Sequence, residues 1–206
     1  ATASGMAAVF ASLMCQLKSG DRVVSSRALF GSCKIILAEI LPRYGIETEF
    51  VDGTDLGQWE QALSKPTKAV FLETPSNPTL EIIDLKAVAD LTHAAGAMLV
   101  LDNVFATPLL QRPLELGADV VVYSATKHID GQGRTLGGAV LGTEEFVRGP
   151  LMYFLRHTGP ALSALNAWLL VKAMDTLELR VMRQCDNALD VAQFLETHND
   201  VGRVLY

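Results

Sequence analysis

Cysteine is scarce in this sequence. Cys15, Cys33 and Cys185 are odd in number and far apart. They make neither a disulfide framework nor a metal knuckle, and a reducing cytoplasm is the default compartment. His93, His157 and His198 fall on expected helices without partners at ligand spacing, which argues against a bound metal. Positive charge is also short: 17 basic side chains stand against 23 acidic ones, for a net charge of −6. With no basic cluster, nothing marks a nucleic-acid surface. No apolar run is long enough to span a bilayer. Met6–Leu17 is apolar, but no basic residue precedes it and Ser12 and Gln16 interrupt it, so it does not read as a signal peptide. There is no internal repeat and no low-complexity tract.

What the 206 residues do contain is a globular composition, half of it hydrophobic, enough for one substantial core or one and a half domains. Short apolar strands alternate with helices. Strands are expected at Arg22–Ser25, Ile46–Val51, Lys68–Glu73, Ala97–Asp102, Asp119–Tyr123 and Leu136–Leu141. Helices are expected over Ser4–Leu17 (with Thr2 or Ser4 as N-cap), Ser32–Arg43, Asp55–Leu63, Asp84–Ala95 and Leu109–Leu116. This order predicts an α/β fold, a mostly parallel sheet with helices on both faces. From about Glu144 the chain reads as helical throughout, with one long helix over Ala161–Thr197. The expected division is a sheet domain over 1–160 and a long linking helix opening a further domain over 161–206. The sequence begins without methionine, and Val201–Tyr206 reads as a strand just starting, so a fragment is expected.

The run Asp119–Tyr123 leads into Ser124-Ala125-Thr126-Lys127-His128. A lysine just past a buried strand sits in poor solvent, where a neutral amine is accessible and can form a Schiff base with an aldehyde. Ser124 and Thr126, two residues apart, are placed to turn toward a phosphate. Ligands of open α/β sheets lie beyond the carboxyl ends of the strands. Glu73, Asn77 and Asp102 fall at such ends, and Gly5 and Met6 open a helix whose free amides suit an anion. Pyridoxal phosphate needs an amine for its aldehyde, a carboxylate for its pyridine nitrogen and donors for its phosphate. Phe30, in a strand-following turn, offers an aromatic face. Each residue taken singly has a plain alternative: Asp102 a cap, Glu73 a solvated strand end, Asn77 a turn residue, Phe30 core. Their joint placement favours the cofactor. His128 points away from the lysine and suits packing, and Arg134 reads as a solvated loop residue. The glycines after Lys127 fail the dinucleotide fingerprint.

Ser4-Gly5-Met6-Ala7-Ala8, Glu73-Thr74-Pro75-Ser76-Asn77-Pro78, Asp102-Asn103 and Ser124–His128 closely resemble the Cys/Met-metabolism family of pyridoxal phosphate enzymes. That family includes cystathionine γ-synthase, cystathionine γ-lyase, methionine γ-lyase and the homoserine-ester sulfhydrylases. The resemblance spans nearly the whole chain and implies the large domain of the fold type I transferases. It implies that Lys127 holds the cofactor and then serves as mobile base, and that Asp102 pairs with the pyridine nitrogen. Gly5, Met6, Ser124 and Thr126 would hold the phosphate, Asn77 the phenolic oxygen, and Phe30 would stack on the ring. Most members carry a tyrosine where Phe30 stands, credited with proton transfer that a phenyl ring cannot perform.

The turn Leu29–Cys33 and the stretch Gly131–Arg134 are most similar to the homoserine-ester sulfhydrylases. They imply γ-replacement on an O-acylated homoserine, with O-succinylhomoserine and sulfide foremost, in the methionine branch of amino-acid biosynthesis. γ-Synthase or γ-lyase chemistry stays open beside it. So does a non-catalytic α/β fragment acting in assembly, because the family's N-terminal arm and C-terminal domain fall outside this sequence. The resemblance further implies a homodimer or homotetramer with shared sites, acting on a small amino acid, and the cysteine usage keeps the cytoplasm as the expected compartment.

Overall fold

The computed structural model describes residues 1–206. Short runs with apolar residues become strands, and the inner ones are buried on both faces. These are β1 (Arg22–Ser26), β2 (Glu47–Val51), β3 (Ala69–Glu73), β4 (Met98–Asp102) and β5 (Val120–Ser124). All five are parallel, in the order β2-β1-β3-β4-β5. A sixth strand, β6 (Gly138–Leu141), closes the far edge antiparallel to β5. β2, the other edge, is partly exposed and carries Glu47 and Glu49, charges that discourage edge-to-edge pairing.

Successive strand residues point to opposite faces, and each face has its own core. On one, Val23, Ala69, Phe71, Val100, Val120 and Val122 meet Ala8, Leu13 and Leu37. On the other, Val24, Val70, Leu72, Leu99, Leu101, Val121 and Tyr123 meet Trp59, Ala62, Leu85 and Val88. The helices behind these contacts are α1 (Gly5–Met14), α3 (Leu56–Leu63) and α4 (Leu85–Ala94), with Leu37 in the turn that follows α2 (Gly31–Ile35). The expected α/β sheet with helices on both faces is therefore the fold observed.

Helix starts follow the caps. Ser4 Oγ accepts from the Ala7 amide at 3.1 Å. Asp55 accepts from Gly57 at 2.9 Å, and Asp84 from Ala87 at 3.0 Å. Two of the helices expected before β6 are not continuous. After α2 the chain widens into a π turn at Ile36–Ile40 and then tightens into a 3₁₀ turn at Leu41–Tyr44. Pro42 has no amide hydrogen and its ring crowds the carbonyl four residues back, so regular α geometry cannot pass through it. Over Leu109–Leu116 only a short α5 (Thr107–Leu110) and a 3₁₀ turn at Pro113–Leu116 form.

Beyond β6 come α6 (Glu144–Phe146), α7 (Met152–Thr158), α8 (Ala164–Met174) and α9 (Leu177–Glu196). The single helix expected over Ala161–Thr197 is broken at Asp175–Thr176. Thr176 takes φ −117° and ψ 6°, and its amide and hydroxyl both donate to Ala173 O at 3.3 Å. This local side-chain bond competes with the helical ladder. No helix in the chain is long and apolar enough to cross a membrane.

Candidate active site at the carboxyl ends of the strands

The N-terminal segment is tied to β6: Thr2 N donates to Gly138 O at 2.8 Å and Gly138 N to Thr2 O at 2.9 Å. This pairing sets the first turn of α1 against the end of β5. The contact requires glycine at position 5, because a Cβ there would lie 2.5 Å from Ser124 Cβ and 2.8 Å from Ser124 Cα. The amides of Gly5 and Met6 donate to no group of the chain. Two free amides at the positive end of a helix dipole, with the Ser124 hydroxyl beside them, form an anion site.

Strand register brings two acids together. Glu73 and Asp102 are paired residues on β3 and β4, and β5 runs two residues past Val122, the partner of Asp102, to Ser124. Both acids are buried, at 3% and 6% exposure, and neither forms an ion pair within the chain. Asp102 Oδ1 accepts from the Val104 amide at 3.0 Å, and Cys33 Sγ lies 3.8 Å from Oδ2. Burial pushes the Asp102 carboxyl up to about 6 despite these bonds. Burial, then the Asp102 charge, pushes Glu73 up to about 7. The buried Cys33 thiol is raised by burial and by both acids.

Glu73 also holds two loops. Its Oε2 accepts from the Phe30 amide at 2.6 Å and its Oε1 from the Asn77 amide at 3.1 Å. One side chain thus sets both the aromatic residue after β1 and the amide residue after β3. The sequence marked Glu73 as a strand end only; a motif does not reveal a bond across 43 residues.

Lys127 lies in the turn after β5 and is exposed, not sunk in apolar surroundings as expected. The strand ends three residues earlier, and the turn lifts the side chain into the mouth of a cavity of about 680 Å³. That cavity is lined by Gly5, Met6, Phe30, Glu73, Asn77, Asp102, Ser124, Thr126 and Lys127, together with Phe105 and Gln184. Every residue singled out in the sequence for cofactor contact therefore faces one space. Thr126 departs in detail: its hydroxyl accepts from Gly137 N at 3.1 Å and lies 3.4 Å from Gly137 O, so it is engaged with backbone rather than free. His128 also lines the cavity. Arg134, expected to be solvated, pairs with the fully buried Asp130 at 3.1 Å.

Pyridoxal phosphate fits this donor set. Free helix amides and a hydroxyl suit a phosphate dianion, and two buried acids without a cation suit a protonated ring nitrogen.

The comparisons with known proteins agree. Residues 1–206 match the family model described as Cys/Met metabolism PLP-dependent enzyme. O-succinylhomoserine sulfhydrylase of Mycobacterium tuberculosis is 61% identical over 206 residues, which is all of this chain and 51% of that protein. The Pseudomonas aeruginosa protein of the same name is 47% identical over the same shares. L-methionine γ-lyase of Fusobacterium nucleatum is 41% identical over all of this chain and 53% of its own length. The chain thus spans about half the length of the curated relatives it matches. Among solved structures, metB from Corynebacterium glutamicum superposes with TM-score 0.96 at 37% identity, over all of this chain and 53% of that one. A putative O-acetylhomoserine (thiol)-lyase from Campylobacter jejuni, solved with N'-pyridoxyl-lysine-5'-monophosphate, gives TM-score 0.94 at 32% identity over all of this chain and 58% of that one. With its whole length matched by the family model, the chain belongs to the Cys/Met metabolism PLP-dependent enzymes.

Proposed function

We propose that the protein catalyses γ-replacement on an O-acylated homoserine, O-succinylhomoserine foremost, in which sulfide displaces the carboxylate and yields homocysteine. The observation that supports it most is that Lys127, Asp102 and the free amides of α1 face one cavity at neighbouring strand ends. When bound, pyridoxal phosphate withdraws electrons from the substrate's Cα and Cβ and so eases departure of a group from Cγ.

The chain's own residues would do the rest. Lys127 Nζ would anchor the cofactor and, once released by the substrate amine, take the Cα proton. Asp102 would face the ring nitrogen and keep it protonated. Gly5 and Met6 amides and the Ser124 hydroxyl would hold the phosphate, with Thr126 contributing once it leaves Gly137. Asn77 would bond the phenolic oxygen, and Phe30 would lie on the ring.

Phe30 supports an ester substrate over a thioether. A carboxylate leaves unprotonated near neutral pH, because carboxyl pKa values lie near ~4.3, whereas thiols titrate near ~8.5 and leave better with a proton donor beside them. A phenyl ring donates none. The names of the relatives at 61% and 47% identity support the same choice, while the γ-lyase relatives make elimination the nearest rival. A division near residue 160 belongs to the proposal: every strand precedes it and only helices α8 and α9 follow. A homodimer or homotetramer with shared sites accords with the open mouth at Lys127.

Turnover of O-succinylhomoserine and O-acetylhomoserine, each with sulfide and with cysteine, tests the reading in the full-length protein. Methionine and cystathionine serve as thioether competitors. Esters should win on kcat/KM by at least tenfold; faster release of thiol from methionine or cystathionine would reverse the assignment.

A further inference from the structure

We propose that Arg180, on α9, is a positioning residue for Lys127, setting the turn from which the lysine projects. The inference rests on the reading that Lys127 holds the cofactor. The turn is closed by Lys127 N to Ser124 O at 3.1 Å, Asp130 N to Ala125 O at 2.9 Å and Gly131 N to Lys127 O at 2.7 Å. These bonds leave the carbonyls of His128 and Ile129, the two residues after the lysine, without an amide partner in the turn. Arg180 supplies both: Nη1 donates to His128 O at 2.7 Å and Nη2 to Ile129 O at 3.1 Å.

The same guanidinium is fixed from behind. Nη2 also donates to Ala173 O at 3.0 Å, at the end of α8, and Nε to Thr176 Oγ1 at 3.1 Å in the break between the helices. No carboxylate pairs with it. A planar fork held by carbonyls and one hydroxyl transmits the position of the α8–α9 break to the turn as a rigid unit, which a single-point ammonium cannot do. Gly131 completes the fit, for its φ is +67° and a side chain there would run into the guanidinium. One helical turn beyond Arg180, Gln184 lines the cavity, so this face of α9 continues into the site.

Arg180→Ala and Arg180→Lys in the full-length protein, loaded with pyridoxal phosphate, test the inference. Three measurements separate positioning from simple helix clamping: the urea midpoint, hydrogen exchange of the amides at 127–131, and the rate at which hydroxylamine strips the cofactor from its lysine. In Arg180→Ala, exchange in the turn should rise at least tenfold and the hydroxylamine rate should change at least fivefold. Arg180→Lys should keep the urea midpoint closer to that of the unaltered protein while still failing to restore either rate, and it carries the test if the alanine variant does not fold. A shifted midpoint with both rates within twofold of the unaltered protein would overturn the inference alone. Failure of borohydride to fix cofactor on Lys127 in the unaltered protein would overturn the functional reading, and this inference with it.

Discussion

Replacing Asp102 by asparagine is expected to make the cofactor-free protein more stable and the loaded enzyme much slower. Asparagine keeps the shape and can still accept from the Val104 amide through its Oδ1, so the change removes mainly a charge. Burial holds the Asp102 carboxyl at about 6, against an ordinary value of 3.8. Between those values the folded chain binds more protons than the unfolded one, so stability falls as pH rises from about 4 to about 6 and stays lower above. At ~1.36 kcal/mol for each pKa unit, the charge costs on the order of 3 kcal/mol above pH 7. Because the Asp102 charge also helps raise Glu73, the substitution lets Glu73 ionise more readily as well. Urea titrations of cofactor-stripped protein at pH 8 and pH 4 should show the variant ahead by a few kcal/mol at pH 8, with the gap closing at pH 4. Loss of the charge proposed to face the ring nitrogen should lower kcat roughly 10²–10³-fold, the scale seen when one preorganised electrostatic partner is removed. A variant no more stable than the parent at pH 8, or equally ahead at both pH values, would refute the idea that Asp102 is held charged at a cost for the sake of a cation.

Three other substitutions separate parts of the account. Gly5→Ala puts a Cβ 2.5 Å from Ser124 Cβ, which should push α1 off the end of β5 and weaken pyridoxal phosphate binding about tenfold, ~1.4 kcal/mol, by equilibrium dialysis. Phe30→Tyr introduces a proton donor facing the cavity and should raise thiol release from methionine or cystathionine relative to ester turnover, measured as a ratio of kcat/KM. Trp59→Phe removes the indole that donates to Gly53 O at 3.0 Å; it should cost about 1–3 kcal/mol in urea titrations and leave cofactor affinity unchanged.

Much of the fold was legible because the signals were local. Fully buried runs such as Ala69–Glu73 and Val120–Tyr123 are strands, and Ser4, Asp55 and Asp84 cap the helices they precede. The grouping of Lys127, Asp102 and Asn77 was legible too, since a parallel sheet delivers all its carboxyl ends to one side. Long-range side-chain roles were not. Glu73 grips amides before and after it, and Arg180 reaches back more than fifty residues to carbonyls; neither leaves a spacing to read. The break at Thr176 was hidden because neither glycine nor proline marks it and the apolar pattern runs across. Lys127 was misjudged by proximity: it lies three residues past the end of the strand, in a turn that brings it to the exposed side of the cavity.

The most direct measurement is borohydride reduction of the full-length protein loaded with pyridoxal phosphate, followed by peptide mapping of the label. Loss of the visible absorption band and a pyridoxyl group on Lys127 are expected, with no incorporation in Lys127→Ala. Label on a different lysine, or a Lys127→Ala protein that keeps both colour and turnover, would contradict it.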